Sequence, residues 1–249
     1  MGTILEARNI SKVFSGFRAI DDASVAIEEG HVHAIIGPNG AGKTTFFNVL
    51  SGFLIPTSGT ITFQGQDITP LGPERVARLG LIRSFQITSI FPHLTVLDNV
   101  KVSLEAKSEL PMRFWSPGSH TDRFNDRAMA ILESVGLRSQ AHLLAVQLAY
   151  GHKRCLELAI SIAQDPIVLL LDEPTAGMGT EDVGRITQLI KKTAKGRTVV
   201  LVEHNLSVVS ELCNRITVLQ RGTVMVEGTY DEVRKDQRVI DAYLGGGHA

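Results

Sequence analysis

No stretch of this chain is long and apolar enough to be a membrane span. The richest apolar run, Ile167 to Leu171, is bounded by Asp165-Pro166 and Asp172-Glu173, whereas a helix crossing a bilayer needs about 20 apolar residues in a row. Any role at a membrane must come through a partner. Cysteine is equally sparse: Cys155 and Cys213 are the two in 249 residues. They are too few for a disulfide framework and lie in helix-like segments, so they read as buried free thiols suited to a reducing compartment. Net charge is nearly absent, since 25 Lys and Arg against 26 Asp and Glu leave -1. That gives no bulk field to hold nucleic acid or an anionic bilayer. Nucleic acid is not expected as a partner, and Lys191-Lys192 and Lys195-Gly196-Arg197 read as solvated helix-end charges. Met1 to Ser11 carries Glu6, Arg8 and Asn9 among its apolar residues. It therefore lacks the charged head and apolar run of a signal peptide and is expected to be mature as written. No internal repeat is found.

What the chain does have is core-forming material, with 43% hydrophobic and 20% charged residues, enough for one large domain. Ile4 to Ile10 and Ala23 to Ile27 alternate apolar and polar residues. This predicts two half-buried strands of an antiparallel edge sheet, joined by the Phe14-Ser15-Gly16-Phe17 turn. Val32 to Ile36, Ile167 to Leu171 and Thr198 to Val202 are almost wholly apolar, as strands covered on both faces of a parallel sheet should be. Turn residues and helical periodicity after the first and third predict an α/β core. From Pro73 to Gln164 the pattern changes: Thr95 to Glu105, Phe124 to Gly136 and Gly151 to Gln164 read as helices inserted into that core. Within the insertion, Lys107 to Thr121 holds Pro111 and Pro117 with Met112, Phe114 and Trp115. It is expected to be a loop, packed on its own domain or on a partner. Ile216 to Leu219 and Thr223 to Val226 flank Arg221-Gly222 as a hairpin, and Asp231 to Leu244 reads as one or two final helices.

Chemistry enters after the strand Val32 to Ile36. Gly37-Pro38-Asn39-Gly40-Ala41-Gly42-Lys43-Thr44 fits G-x-x-x-x-G-K-[ST] and opens the helix Thr45 to Leu50, the context that motif requires. Its glycines let backbone N–H groups wrap around phosphates, and the helix start adds its positive dipole end. Lys43 would reach the β- and γ-phosphates, and the Thr44 hydroxyl would bind Mg²⁺. Kinases, GTPases and motor ATPases share this loop, so it does not fix the class. Two strand ends add to it. Ile167 to Leu171 ends in Asp172-Glu173, where α/β sheets bind ligands. Asp172 is expected to hold Mg²⁺, and Glu173 to polarise the water attacking the γ-phosphate. Thr198 to Val202 ends in Glu203-His204-Asn205, placing His204 to sense the γ-phosphate.

Upstream of the carboxylates, Leu148-Ala149-Tyr150-Gly151-His152 resembles the L-S-G-G-Q signature of ATP-binding-cassette (ABC) ATPases. Arg83-Ser84-Phe85-Gln86, followed by Phe91-Pro92-His93-Leu94-Thr95 and Asn99-Val100, is similar to that family's Q-loop. The resemblance covers nearly the whole chain. It implies a P-loop NTPase (RecA-like) α/β core with an antiparallel β edge subdomain and an inserted α-helical signature subdomain. The core would span about 1–85 and 165–228, the helical part about 86–164 and a helical tail about 229–249, all within a single domain of 1–245. It implies that Gln86 touches Mg²⁺ or the attacking water, and that the ATP site runs from Gly37 to Thr45. Phe14, which lies 23 positions before Gly37, would stack on adenine, with Phe17 as the fallback.

The same resemblance implies a mechanism. Two cassettes, this chain with itself or a paralogue, would close head to tail on ATP, each signature facing the other's phosphate loop. The Q-loop groove would pass that motion to two transmembrane permease subunits, fed by an extracytoplasmic substrate-binding protein. The chain would then sit peripherally on the cytoplasmic face of the inner membrane and be soluble when isolated. Three positions depart from the family pattern: Ala149 replaces serine, His152 replaces glutamine, and Gly179 stands where a D-loop aspartate is usual. Leu-Ala-Tyr-Gly, the Met112 to Trp115 region and Arg238 to Gly245 are similar to the branched-chain amino acid importer subfamily. Urea, amides and aromatic or carboxylic acids stay open as cargo. An export-type T-E-V-G-E-R-G motif is absent from Gln140 to Gln147. The rival readings are a non-transport ABC ATPase of translation or DNA repair, and a cassette that binds ATP without turnover.

Overall fold

The computed structural model describes residues 2–84, 90–107 and 124–244. β1 (Thr3–Phe14) and β2 (Phe17–Glu28) form the expected antiparallel pair. Both run longer than their alternation predicts, because register shifts around Ile10 and Lys12 break the period of two from which strands are read. β3 (Val32–Ile36) leaves for a second sheet. β4 (Ser58–Phe63) and β5 (Gln66–Asp67), which the hydrophobic pattern does not isolate, complete the edge sheet in the order β2-β1-β4-β5.

The second sheet has the order β10-β9-β3-β8-β7-β6. It is built around β6 (Leu81–Ser84), β7 (Val168–Asp172), β8 (Thr198–Val202), β9 (Arg215–Gln220) and β10 (Thr223–Gly228). Its pairs are parallel except for the β9–β10 hairpin. Every residue of β3, β7 and β8 is buried, the reason for their unbroken apolar runs. Asp172 of β7 is level with Val202 of β8, and Ile35 of β3 pairs with the same residue. The C-terminal ends of these three strands therefore form one shelf.

Helices cover both faces. α1 (Lys43–Leu50) and α2 (Pro73–Arg78) precede β6, while α3 (Val96–Lys107), α4 (Asn125–Ser134) and α5 (Tyr150–Ala163) stand between β6 and β7. The change of character read at Pro73 comes too early. β6 pairs in parallel with β7, so α2 and β6 belong with the sheet, and a four-residue strand ending in Arg83-Ser84 is too short to show a period. α6 (Thr180–Thr193) and α7 (Leu206–Leu212) flank β8, and α8 (Tyr230–Val233) and α9 (Gln237–Leu244) end the described chain.

Two apolar clusters hold these layers. Val100, Leu104, Leu132 and Leu156 of α3 to α5 join Leu169, Leu171 and Leu201 of the sheet in one, so the inserted helices share the sheet's core. The other packs Ile10, Ile20 and Phe63 of the edge sheet, and Phe46 and Phe47 of α1, on Ile35, Leu170 and Val200. At about 1.5–3 kcal/mol per buried large side chain, the two phenylalanines lock α1 with its N-terminus at the strand shelf. Both cysteines are free; Cys155 is buried and Cys213 half-buried. Burial, with Glu203 nearby, pushes the Cys213 thiol up to about 12, which leaves it inert. Among the described residues no helix is long and apolar enough to cross a membrane.

Candidate active site

Gly37 leaves β3 with φ 152° and Gly42 enters α1 with φ 98°. A Cβ on Gly37 would stand 2.1 Å from the Leu219 carbonyl oxygen, and one on Gly42 2.6 Å from that of Ala19. Both positions demand glycine for space as well as for conformation. The loop is also sewn to its neighbours: Gly222 N–H donates to Ala41 O at 3.0 Å, and Asp21 N–H to Gly222 O at 2.9 Å. Lys43, 6% exposed, donates from Nζ to Gly37 O at 2.8 Å and Pro38 O at 2.9 Å. Burial draws its pKa down while Glu173 and Asp172 push it back up. The ammonium is thus held over the loop, with two carboxylates near enough to favour its charge.

That cleft measures about 310 Å³ and is lined by Asn39 to Thr45 with Glu173, His204, Phe17 and Ala19. Glu173 sits just past β7 at φ 46°, a conformation uncommon for a side chain of its size, with its N–H bonded to Val202 O at 3.0 Å. The turn aims its carboxylate across to the next strand end, where Oε1 lies 2.6 Å from His204 Nε2. A carboxylate accepts only, so the Nε2–H tautomer of His204 is assigned as the donor.

Asp172, one residue earlier, is 3% exposed. Its Oδ2 takes a 2.6 Å ion pair from Arg83, and its buried Oδ1 has no hydrogen-bond partner among the described residues. A buried acceptor without a donor fits a cation, and with the Thr44 hydroxyl it offers the hard oxygen donors Mg²⁺ prefers. Gln86, the third expected ligand, lies outside the described residues.

The signature segment is built differently. Ala149 is the N-cap of α5 and makes no side-chain cap. Gly151 is buried within the chain, because a Cβ there would stand 2.6 Å from Arg185 Nη2 and 2.7 Å from Asp182 Oδ1. The side chain of Arg185 spans both neighbours, pairing with Asp182 at 2.8 Å and meeting His152 Nε2 at 2.9 Å. His152 must accept there, so its proton is on Nδ1, 3.5 Å from the Gln140 amide nitrogen; the flipped amide turns its otherwise unpartnered oxygen to accept that proton. Gly179 is the N-cap of α6, with open space where a Cβ would go. Just ahead of this segment, Val96 N–H bonds Leu143 O at 2.9 Å and Val146 N–H bonds Pro92 O at 3.0 Å, which ties the start of α3 to the residues that lead into the signature. Met112, Phe114 and Trp115 lie outside the described residues.

Comparison with known proteins decides the class. The family model for ABC transporters matches residues 20–176, and that for the branched-chain amino acid ATP-binding cassette transporter matches residues 223–249. The chain belongs to the ABC transporter family. The chain is 36% identical to the high-affinity branched-chain amino acid transport ATP-binding protein LivG of Salmonella typhimurium, over 97% of this chain and 98% of that one. It is also 36% identical to BraF of Pseudomonas aeruginosa, over the same shares. A solved ABC transporter cassette in its ADP conformation superposes at a TM-score of 0.88 with 30% identity, covering 98% of this chain and all of the other. A dimeric cassette in a post-hydrolysis state, bound to ADP and Pi, gives 0.78 at 27% identity over 91% and 98%. This chain is therefore an ATPase cassette.

Within that ABC cassette the aromatic beside the phosphate loop is Phe17, not Phe14. Phe17 lines the cleft and is 68% exposed, whereas the Phe14 ring lies 5.2 Å from Lys12 Nζ. Phe17, the fallback aromatic, is carried by β2, the strand tied to the loop through Asp21 and Gly222. Sequence reasoning also gave no role to Arg83, which bonds Asn48, Ser51 and Asp172 and lies against the rings of Phe47 and Phe53. Nor did it give one to Glu203, whose oxygens accept from Thr175, His204 and Asn205. A charged residue at the end of an apolar strand is a readable signal, since burial there requires partners.

Proposed function

We propose that this chain is the ATP-hydrolysing subunit of an importer of branched-chain or other hydrophobic amino acids. The observation that carries the chemistry is the Glu173–His204 pair, 2.6 Å apart at the mouth of the phosphate-loop cleft. Phosphates would lie on the N–H groups from Gly37 to Thr45, with Lys43 turned from its loop carbonyls onto the β- and γ-oxygens. Thr44 and Asp172 Oδ1 would hold Mg²⁺, with Gln86 completing the set, and the ion supplies charge neutralisation between the transferring phosphates. Glu173, held by His204, takes a proton from the attacking water. Phe17 stacks on the adenine.

Two copies, or this chain and a paralogue, would sandwich ATP between the phosphate loop of one and Ala149 to His152 of the other. Two permease subunits would dock on the helices between residues 86 and 164, fed by an extracytoplasmic binding protein, with the cassette peripheral on the cytoplasmic side. The single domain of 1–245, with its core, helical part and tail as set out above, is part of this proposal. The cargo class rests on the names of LivG and BraF and on the tail match at 223–249. The test is Lys43→Ala and Glu173→Gln in the purified chain: the first is expected to lose Mg-ATP binding, the second to keep it and stop phosphate release. Wild-type turnover in Glu173→Gln removes Glu173 from its role. Uptake of leucine, urea, amides and aromatic acids into vesicles holding cassette, permease and binding protein distinguishes the cargo classes.

A further inference from the structure

Between Glu173 and α6 the chain makes a tight turn that enters none of the chemistry above, yet it is pinned from both sides. On one side the Tyr150 hydroxyl lies 3.0 Å from Ala176 O and 3.1 Å from Arg154 Nη2. Arg154 can only donate, so the tyrosine proton is directed to Ala176. Arg154 is itself held by Glu157 at 2.9 Å. On the other side, Thr175 gives both its N–H, at 3.1 Å, and its hydroxyl to Glu203 Oε1. The second oxygen of Glu203 accepts the N–H groups of His204 at 2.8 Å and Asn205 at 3.0 Å. Ala176 N–H returns to Glu173 O at 3.1 Å, and Gly177 takes φ 74° to let the chain pass beneath the tyrosine ring. A carboxylate only 3% exposed, outside the nucleotide cleft, is costly unless it holds something in place.

We propose that Tyr150 and Glu203 are positioning residues of one relay, which runs from the signature helix through Ala176 and Thr175 to His204 and Glu173. Its two ends face different nucleotides in the head-to-tail arrangement, so the relay rests on that reading of the ATP site. Closure of α5 on the partner's ATP shifts Tyr150, the tyrosine draws on Ala176, and Glu203 transmits the shift to the backbone that aims the hydrolytic pair. The relay thus sets turnover in a chain's own site by what its signature touches.

The test uses the purified full-length chain with Mg-ATP. Tyr150→Phe and Thr175→Val each remove one hydroxyl and leave the backbone bonds. Glu203→Gln would face two N–H donors with an amide and is expected to destabilise, so Thr175→Val carries the test at that end. Each single variant is expected to stay folded, with its melting temperature lowered by about 10 °C at most, and Thr175→Val, which lies outside the signature, to bind Mg-ATP within about twofold of wild type, while kcat falls by about three- to tenfold in both. The double variant should be no slower than the slower single, because both bonds serve one path. A double variant whose losses multiply overturns the relay, as does an unchanged kcat in Tyr150→Phe beside a turning-over wild type. A wild-type chain that binds Mg-ATP without turnover overturns the hydrolytic reading, and the relay with it.

Discussion

His33 lies in β3, four residues ahead of Gly37, with 1% of its surface exposed. Its Nε2 is 2.7 Å from Thr217 Oγ1, which in turn reaches Glu227 at 3.2 Å, and Glu227 is paired with Arg215 at 2.9 Å. Burial lowers its pKa from 6.5 to about 4; Glu227 pulls it up, while Arg215 and His31 push it down. The folded chain therefore holds His33 neutral over a range in which the unfolded chain binds a proton. The stability this lends is fully present above pH 6.5 and is lost as pH falls through about 4. At ~1.36 kcal/mol per pH unit, the gap amounts to about 3 kcal/mol, of which about 2 is gone by pH 5. That is a large part of the ~5–15 kcal/mol that keeps a domain folded. Urea unfolding between pH 7.5 and 4.5 measures it, with His33→Gln as the reference because an amide of similar size does not titrate. Carboxylates titrate in both proteins, so the difference between the two pH profiles isolates the histidine. The expected wild-type profile falls about 2 kcal/mol further by pH 5. Parallel profiles would refute the assignment of a buried, neutral His33.

Three further outcomes test the site. Phe17→Ala should raise the KM for ATP by about tenfold, on the scale of one lost aromatic stack, while Phe14→Ala leaves it within twofold; equal effects would return Phe14 to the site. Arg83→Met leaves Asp172 buried without its cation and should destabilise the chain by about 3–5 kcal/mol, read by urea unfolding; a loss under about 1 kcal/mol would make the pair incidental. Ala149→Ser gives α5 the side-chain cap it lacks, for a gain of about 1 kcal/mol in stability with turnover changed less than about tenfold; an unchanged melting temperature would show that the hydroxyl does not cap the helix.

The parts of the fold that could be read from sequence are those in which a single periodicity persists. β3 and β8 stand at their expected limits, Val32–Ile36 and Thr198–Val202, because both faces are buried and, His33 apart, their interiors are apolar throughout. β5 and β6 run two and four residues and could not show a period. β1 carries its bulges near Asn9, whose φ is 51°, so alternation failed before the strand did. The site divides along the same line. The phosphate loop, Asp172-Glu173 and His204 are each contiguous in sequence and sit at the end of a legible strand. Phe17 depends on which strand of a hairpin is tied to Gly222, a pairing across some 200 residues that spacing cannot report.

The supporting shell is harder still, since Arg83 meets Asp172 across 89 residues and Thr175 meets Glu203 across 28. What betrays such residues in advance is cost. A charge placed where an apolar strand ends must be paired once buried. Glu203 after Leu201-Val202 meets that criterion in the sequence itself, and Arg83 after Leu81-Ile82 meets it once β6 is known to be a strand. Applied to the ends of β6, β7 and β8, the criterion yields Arg83, Asp172, Glu173 and Glu203. These are two charges that line or ligate the site and two that hold them there. The same burial that makes the second pair costly gives it leverage, because a buried carboxylate with four donors cannot shift without moving the backbone that carries His204.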